Sequence, residues 1–456
     1  MSFINGVKNR VMDQPLVWDT LTTTFFSTVG KGVGFLVPFF IAAWFGVSQE
    51  TDAFFFVYGL VLFLAGVFAN AVESVIVPFI TELEAQDGDV AFFVGKVMGA
   101  GGLIVVLALG AFLLFFLFFL PLILHFSPGG LHLVYVLLWE TSLLVLLLTW
   151  TSVLSGALNA QKSFSLPAVS PAIRASVALA FIFLFKGYLG IHAVAWGYVV
   201  GEFLRMFVLF FGARSKGIVS WFSFSINLDR RLREFLHTAS YQAVAMLASG
   251  LNPVVDKTMA SWLPVGSVSV LHYANRLFMI PVVFFSSGLM VTLLSHWGSR
   301  YWEWGIKKLR MDVNKAVKVV AISSLILMIG LVVFSYPLTK LVLAHGSFTV
   351  EKVPQVRLVW VCYLVGLPFY LLGVVYSRAH LVLKNTHILM KRALYINLIN
   401  ISFNYVFMKF MGVAGIALSS SIASVCSLLY ISVTFYRSSF DSDVEEIGEE
   451  NSPYNV

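Results

Sequence analysis

A chain of 456 residues that is 59% hydrophobic and 12% charged, with a mean hydropathy of +0.88, is not built as a soluble domain. Soluble domains are nearer half apolar and a quarter charged. The net charge of +7 sits mostly in loops between apolar runs, where it suits anionic lipid and gives no reason to expect nucleic acid.

The N-terminus, MSFINGVKNRVMDQPLVWD, is polar and has no apolar core of a cleavable signal peptide. About twelve runs of spanning length follow, each near or above the ~20 residues a bilayer requires. They lie at 18–46, 53–81, 93–124, 131–159, 167–187, 190–213, 233–262, 268–297, 315–343, 355–383, 388–410 and 413–436. Continuous apolar runs of this length predict helices, where a barrel would show short alternating segments. Lys8 and Arg10 precede the first run. Arg214, Lys216, Arg230, Arg231 and Arg233 separate the sixth and seventh, and Arg300, Lys307, Lys308, Arg310 and Lys315 the eighth and ninth. Lys384, Lys391 and Arg392 fall between the tenth and eleventh. The alternate loops VSQETD, HFSPGGLH, PVGSVS and AHGSFT are nearly free of Lys and Arg, so both termini are expected in the cytoplasm. The acidic tail FDSDVEEIGEENSPYNV is expected to be disordered. Cys362 and Cys426 lie in apolar runs and suggest neither a disulfide framework nor a metal site.

The chain repeats itself. AAWFGVSQETDAFFFVYGL at 42–60 parallels ASWLPVGSVSVLHYANRL at 260–277, and GIHAVAWGYVVGE at 190–202 parallels GVAGIALSSSIAS at 412–424. The step from Leu60 to Leu277 nearly equals the step from Gly190 to Gly412. With six spans per half, the second half enters the membrane in the same direction as the first, a parallel repeat common among transporters. The expected plan is an N-terminal lobe over 1–213, a basic linker over 214–232, a C-terminal lobe over 233–436 and a tail over 437–456. The site is expected between the lobes.

Ionisable side chains inside spans are costly and usually face a cavity or a partner. Lys31, Glu73, Glu140, Arg174, Glu202, Arg205, Asp256, Lys257 and Arg276 are the candidates. Glu202 and Arg205 stand three apart and can neutralise each other, a structural reading. Glu140 and Arg174 can pair or snorkel. Asp256 and Lys257 are adjacent, so they point about 100° apart on a helix and seek different partners. Lys31, Asp256 and Arg276 are favoured as functional. Asn397, Asn400 and Asn404 recur in the eleventh span, the last two on one face, and Ser419, Ser420 and Ser421 follow in the twelfth. Their oxygens suit a small hard cation beside Asp256, while on spacing alone hydrogen-bonded glue between helices is the favoured reading.

Several stretches resemble the MviN/MurJ lipid II flippase family of the multidrug/oligosaccharidyl-lipid/polysaccharide exporter superfamily. They are TDAFF at 51–55, VPFITE at 77–82, LSGALNAQKSFSLPAVSPAI at 154–173, VVDKTMASWLPVGSVSVLHYANRL at 254–277 and GVAGIALSSSIAS at 412–424. The resemblance implies an all-α polytopic protein of two six-helix lobes in a V, with a basic central cavity and alternating access. It implies cargo of undecaprenyl-diphosphate-linked saccharide moved to the outer leaflet of the bacterial inner membrane, without catalysis, with cell-envelope synthesis enzymes as candidate partners. Arg276 would hold the diphosphate, with Lys31, Asn275, Lys257, Asp52 and Glu73 lining the cavity. It implies a sodium site of Asp256, Asn400, Asn404, Ile416 and Ser420, which turns the asparagines from glue into ligands.

The departures are specific. Val37, Pro38, Ala65 and Gly66 stand where the resemblance expects charged residues, and Asn404 where it expects an acid. The chain also has two fewer spans than lipid II flippases commonly have. Another lipid-linked oligosaccharide therefore fits as cargo. A drug or small-cation antiporter of the same superfamily, or a scaffold without transport, are the competing classes.

Overall fold

The computed structural model describes residues 32–219 and 228–450, and no strand occurs among them. The helices are α1 (Gly32–Phe45), α2 (Gln49–Ala85), α3 (Val90–Ile123), α4 (Pro128–Ala160), α5 (Ser165–Leu189), α6 (His192–Ser215) and α7 (Arg230–Gly250). They continue as α8 (Asn252–Ala260), α9 (Ser267–Val333), α10 (Ser335–Leu343), α11 (Val353–Val365), α12 (Leu367–Val382), α13 (Thr386–Met411) and α14 (Val413–Glu450). Helix α9 breaks at Gly305, whose φ of 70° and ψ of −173° are not helical.

Eight described helical stretches are long and apolar enough to cross a membrane, or nine if α11 and α12, bent by 40°, count as one. The other expected spans differ for visible reasons. The first starts outside the described residues, and its described part is α1. The seventh is cut at Gly250–Leu251 into α7 and the nine-residue α8. A Cβ on Gly250 would lie 3.0 Å from the Phe63 ring, and Pro253 opens α8, so both sides of the break have a local cause. The eleventh is a full helix, α13, diluted by Lys391, Arg392, Lys409 and its asparagines.

The chain forms two compact units. One contains Gln49–Gly250; the other runs on from Leu251 and also takes in Ala42–Ser48. The boundary is thus later than the 214–232 linker the sequence suggests, because α7 packs with the first unit. Leu232 and Phe235 of α7 are fully buried, and the Phe235 ring stands edge-on to Phe79 at 5.4 Å and to Phe93 at 5.7 Å. Asp229 caps α7 by accepting from the Leu232 N–H at 2.9 Å and meets the buried Lys96 ammonium of α3 at 2.5 Å. Residues 220–227 of the expected linker lie outside the described residues.

In the first unit, α2 packs on α4 and α5 on α6. Gly197 and Gly201, four apart on α6, bring its backbone against α5: Cβ atoms there would lie 3.0 Å from the Ala178 carbonyl and 2.5 Å from that of Arg174. Small residues at this spacing allow close helix approach in a membrane. In the second unit, α13 packs on α14, and α9 on α11 and α12. The Tyr273 hydroxyl donates to the Gly46 carbonyl at 2.9 Å, and the Ser347 N–H donates to the Ala43 carbonyl at 2.7 Å. Helix α14 runs to Glu450 where disorder was expected after Tyr436. Extending an existing helix needs no new nucleus, and the segment has no proline before Pro453.

The repeat persists in the backbone. Gly190 ends α5 at φ 55°, ψ −134°, and Gly412 ends α13 at φ 58°, ψ −136°. Lys162 and Lys384, separated by the same step as these glycines, both take left-handed φ, 56° and 57°. Matching turn bonds follow, from Ser163 N–H to the Leu158 carbonyl and from Asn385 N–H to the His380 carbonyl, each at 2.9 Å.

Candidate functional site

Helix α8 is short, and its single acid turns toward α13. The Asp256 carboxylate accepts from Asn404 Nδ2 at 2.6 Å. The same nitrogen donates to Asn400 Oδ1 at 3.2 Å, and Asn400 Nδ2 donates to Ser420 Oγ at 3.4 Å. Ser420 in turn donates to the Ile416 carbonyl at 3.3 Å. All five residues marked in the sequence for a cation are therefore joined in one hydrogen-bonded chain across α8, α13 and α14. The i,i+4 spacing of Asn400 and Asn404 places both amides on one buried face of α13, and the same spacing lets Ser420 reach the carbonyl one turn back. Asn404 Oδ1 is buried without a hydrogen-bond partner among the described residues.

Lys257, on the next position of α8, lies in the field of Arg276 and Asp256. His272 lies in that of Lys257 and Arg276. Arg276 and His272 stand four apart on α9, so they share a face. The Tyr363 hydroxyl lies near the Asn275 amide, and Phe278 stacks on the Tyr363 ring at 5.5 Å. The second unit thus gathers two basic side chains, Lys257 and Arg276, and one carboxylate. In their charged forms the two bases repel each other, and a multivalent anion would relieve that repulsion. Neither His272 nor Tyr363 was singled out from the sequence. The spacing of His272 to Arg276 was a usable signal for the first; Tyr363 comes from a distant helix and left none.

The remaining candidates fall elsewhere. Lys31 lies outside the described residues. Asp52 is buried in the first turn of α2, where an acid favours the helix N-terminus. Glu73 is exposed on α2, in the field of Arg205. Glu140 pairs with His192 at 2.9 Å, and Arg174 pairs instead with Glu202. Glu202 is fully buried and binds Arg205 at 3.0 Å, Arg174 at 3.3 Å and the Thr151 hydroxyl at 2.7 Å. Among the described residues, no group of three or more His, Cys, Asp or Glu side chains converges as a metal cluster.

A multi-pass helical membrane protein with an internal repeat, and with charged and amide side chains gathered inside it, has the architecture of a transporter. A solved lipid II flippase MurJ in an inward closed conformation shares the fold at a TM-score of 0.77 and 26% identity, covering 96% of this chain and 94% of that one. An inward-facing MATE multidrug transporter of the MOP superfamily matches at 0.73 over 91% and 95%, but at 14% identity, a likeness of fold alone. The family model described as "Lipid II flippase MurJ" matches residues 41–445, and the chain belongs to that family. The lipid II flippase MurJ of Thermosipho africanus (strain TCF52B) is 29% identical over 414 residues, 90% of this chain and 82% of that protein. That of Burkholderia cenocepacia (strain ATCC BAA-245 / DSM 16553 / LMG 16656 / NCTC 13227 / J2315 / CF5610) is 24% identical over 437, covering 90% and 82%. The chain is accordingly a membrane transporter and not an enzyme.

Proposed function

We propose that this protein moves a polyprenyl-diphosphate-linked saccharide, lipid II or a related cell-envelope precursor, from the cytoplasmic to the outer leaflet of the bacterial inner membrane. Family membership over residues 41–445 is the observation that carries the reading. The basic group of Lys257, His272 and Arg276 gives it a chemical basis. A guanidinium binds two phosphate oxygens through parallel charge-assisted hydrogen bonds, so Arg276 holds the diphosphate and Lys257 adds a point charge. Asn275 and Tyr363 offer polar atoms for the sugar. The prenyl tail stays in lipid, the saccharide crosses by alternating access, and both termini face the cytoplasm. No bond is made or broken.

Sodium fits the chain from Asp256 to Ser420 as a coupling ion. The donors are all oxygens, as a small hard cation requires: the Asp256 carboxylate, the Asn400 and Asn404 amides, the Ser420 hydroxyl and the Ile416 carbonyl. Asn404 Oδ1 is a buried acceptor without a donor among the described residues. A bound cation would supply positive charge to that acceptor and to Asp256, and bind α8 to α13 and α14.

The test is depletion in cells. Loss of the protein should make lipid-linked saccharide accumulate on the cytoplasmic side, wild type should clear it, and Arg276→Ala should not, despite normal amounts in the membrane. Arg276→Lys should clear it partly, since charge survives without the fork. Depletion without such accumulation would refute the flippase reading.

A further inference from the structure

The first unit holds its own cations, and their balance is uneven. Glu202 supplies one carboxylate to two guanidiniums. Its side chain is 0% exposed, against 13% for Arg205 and 24% for Arg174. Arg205 is well satisfied: Nη1 donates to Glu202 Oε1 at 3.0 Å and Nε to Ser170 Oγ at 3.0 Å. Glu73 also lies in its field. Arg174 is held more weakly, by one bond of 3.3 Å to the other oxygen. Its Nε is buried and has no hydrogen-bond partner among the described residues. Thr151 fills a further site on Glu202 Oε1, so the carboxylate is stably held without Arg174.

The surroundings of Arg174 are those of a binding group. Tyr58 and Tyr198 lie in its field, their rings 4.4 Å apart, with Phe54 stacked on Tyr58 at 5.4 Å. The Arg174 side chain as a whole is the most exposed of the three charged residues, and nine residues of α5 precede it, roughly 13 Å of helix, which is deep within a span. A cation left partly unneutralised at that depth favours an anion. Phosphate suits the flat, forked donor set.

We propose that Arg174 is an anion-recognising residue of the first unit and takes a phosphate of the prenyl diphosphate, while Arg205 keeps Glu202 neutralised. This rests on the flippase reading. It makes Glu202 a positioning residue, which aims Arg174 and releases it at the cost of one long hydrogen bond.

The test uses the full chain in detergent, titrated with geranylgeranyl diphosphate, with geranylgeraniol as the uncharged control. Arg174→Gln should weaken diphosphate binding at least about tenfold, and Arg174→Lys at least about threefold, with melting temperatures near wild type and unchanged binding of the alcohol. Competition by inorganic pyrophosphate would support a phosphate site. Wild-type affinity in Arg174→Gln would overturn the proposal; if that variant does not fold, wild-type affinity in Arg174→Lys would do so. Preferential displacement by phosphatidylglycerol would also overturn it, by assigning the site to bulk lipid headgroups. Arg276→Gln separates the two readings. If it weakens binding and the Arg174 variants do not, only this inference fails. If wild type prefers the alcohol or treats both ligands alike, the flippase reading fails with it.

Discussion

The two halves share a backbone plan and carry opposite chemistry. The step that carries Gly190 to Gly412 pairs Asn400, Asn404, Ile416 and Ser420 with Ala178, Ile182, Val194 and Tyr198, three of them purely apolar. The same step pairs Arg174, Glu202 and Arg205 with Ile396, Ser424 and Ser427. One half thus has a carboxylate joined to neutral amides and a hydroxyl; the other has a carboxylate held closely by Arg205 and more loosely by Arg174. The contrast shows how polarity is tolerated inside apolar helices. Amides and hydroxyls can exchange partners at small cost, whereas the fully buried Glu202 carboxylate must keep a cation beside it, the part played by Arg205.

The largest effect expected from this contrast is at Glu202. Glu202→Leu leaves two guanidiniums without their shared counter-ion, and breaking such a buried group costs about 3–5 kcal/mol. Little folded protein should be recovered, as judged by monodispersity on size exclusion. Asp256→Asn should by comparison fold normally, because an amide can still bond Asn404. Equal loss in both variants would remove the distinction between a locked and an exchangeable cluster.

A second prediction concerns ions. Sodium should raise the melting temperature of the purified protein by mass action above its dissociation constant, and matched potassium should not. Asp256→Asn should abolish that difference, and Asn404→Asp, which adds a second formal charge, should enlarge it. Introducing asparagine at Ala178 in the first half should leave it unchanged. Equal shifts with the two cations in wild type would rule out sodium selectivity and leave Asp256 as a proton carrier or a structural partner of Lys257.

The smallest effect is expected where α7 is fastened to the first unit. The Lys96 ammonium and the Leu232 N–H hold the Asp229 carboxyl below its ordinary value. A carboxyl depressed in the folded state contributes stability above its unfolded pKa of about 3.9, and that contribution fades as pH falls through the folded value. Hydrogen exchange in the first turns of α7 should therefore quicken below about pH 4 in wild type. Asp229→Asn should exchange fast at neutral pH and lose this dependence. The change should be modest, since Asp229 is 43% exposed and solvent screens the pair.

Much of the second unit could be read from the chain because its determinants are local. Asn400 and Asn404 share a face by spacing, the Asn and Ser oxygens were set beside Asp256 from their chemistry, and Ile416 and the choice of ligands over glue came from the resemblance. In the first unit, Arg174 and Glu202 lie on different helices, and Glu140 was an equally plausible acid until His192 proved to occupy it. Apolar content alone ran α7 and α8 together, although Gly250 and Pro253 mark the break. The allegiance of α7 rests on Phe235 meeting Phe79 and Phe93, a long-range contact that no local pattern encodes.

The register fixed by Gly190 with Gly412 and Lys162 with Lys384 also bears on stoichiometry. Trp44 and Trp262 give the matching step for the first helices of each half, and that step sets Pro38 opposite Asp256. The first half therefore lacks the acid as well as both amides, and has Tyr198 in place of the serine. A symmetric frame offers two equivalent places for a coupling ion, and only one of them is furnished here. On the reading proposed above, each transport cycle carries a single monovalent ion through this set of groups. The electrical work available from it is about 2.3 kcal/mol per 100 mV of membrane potential.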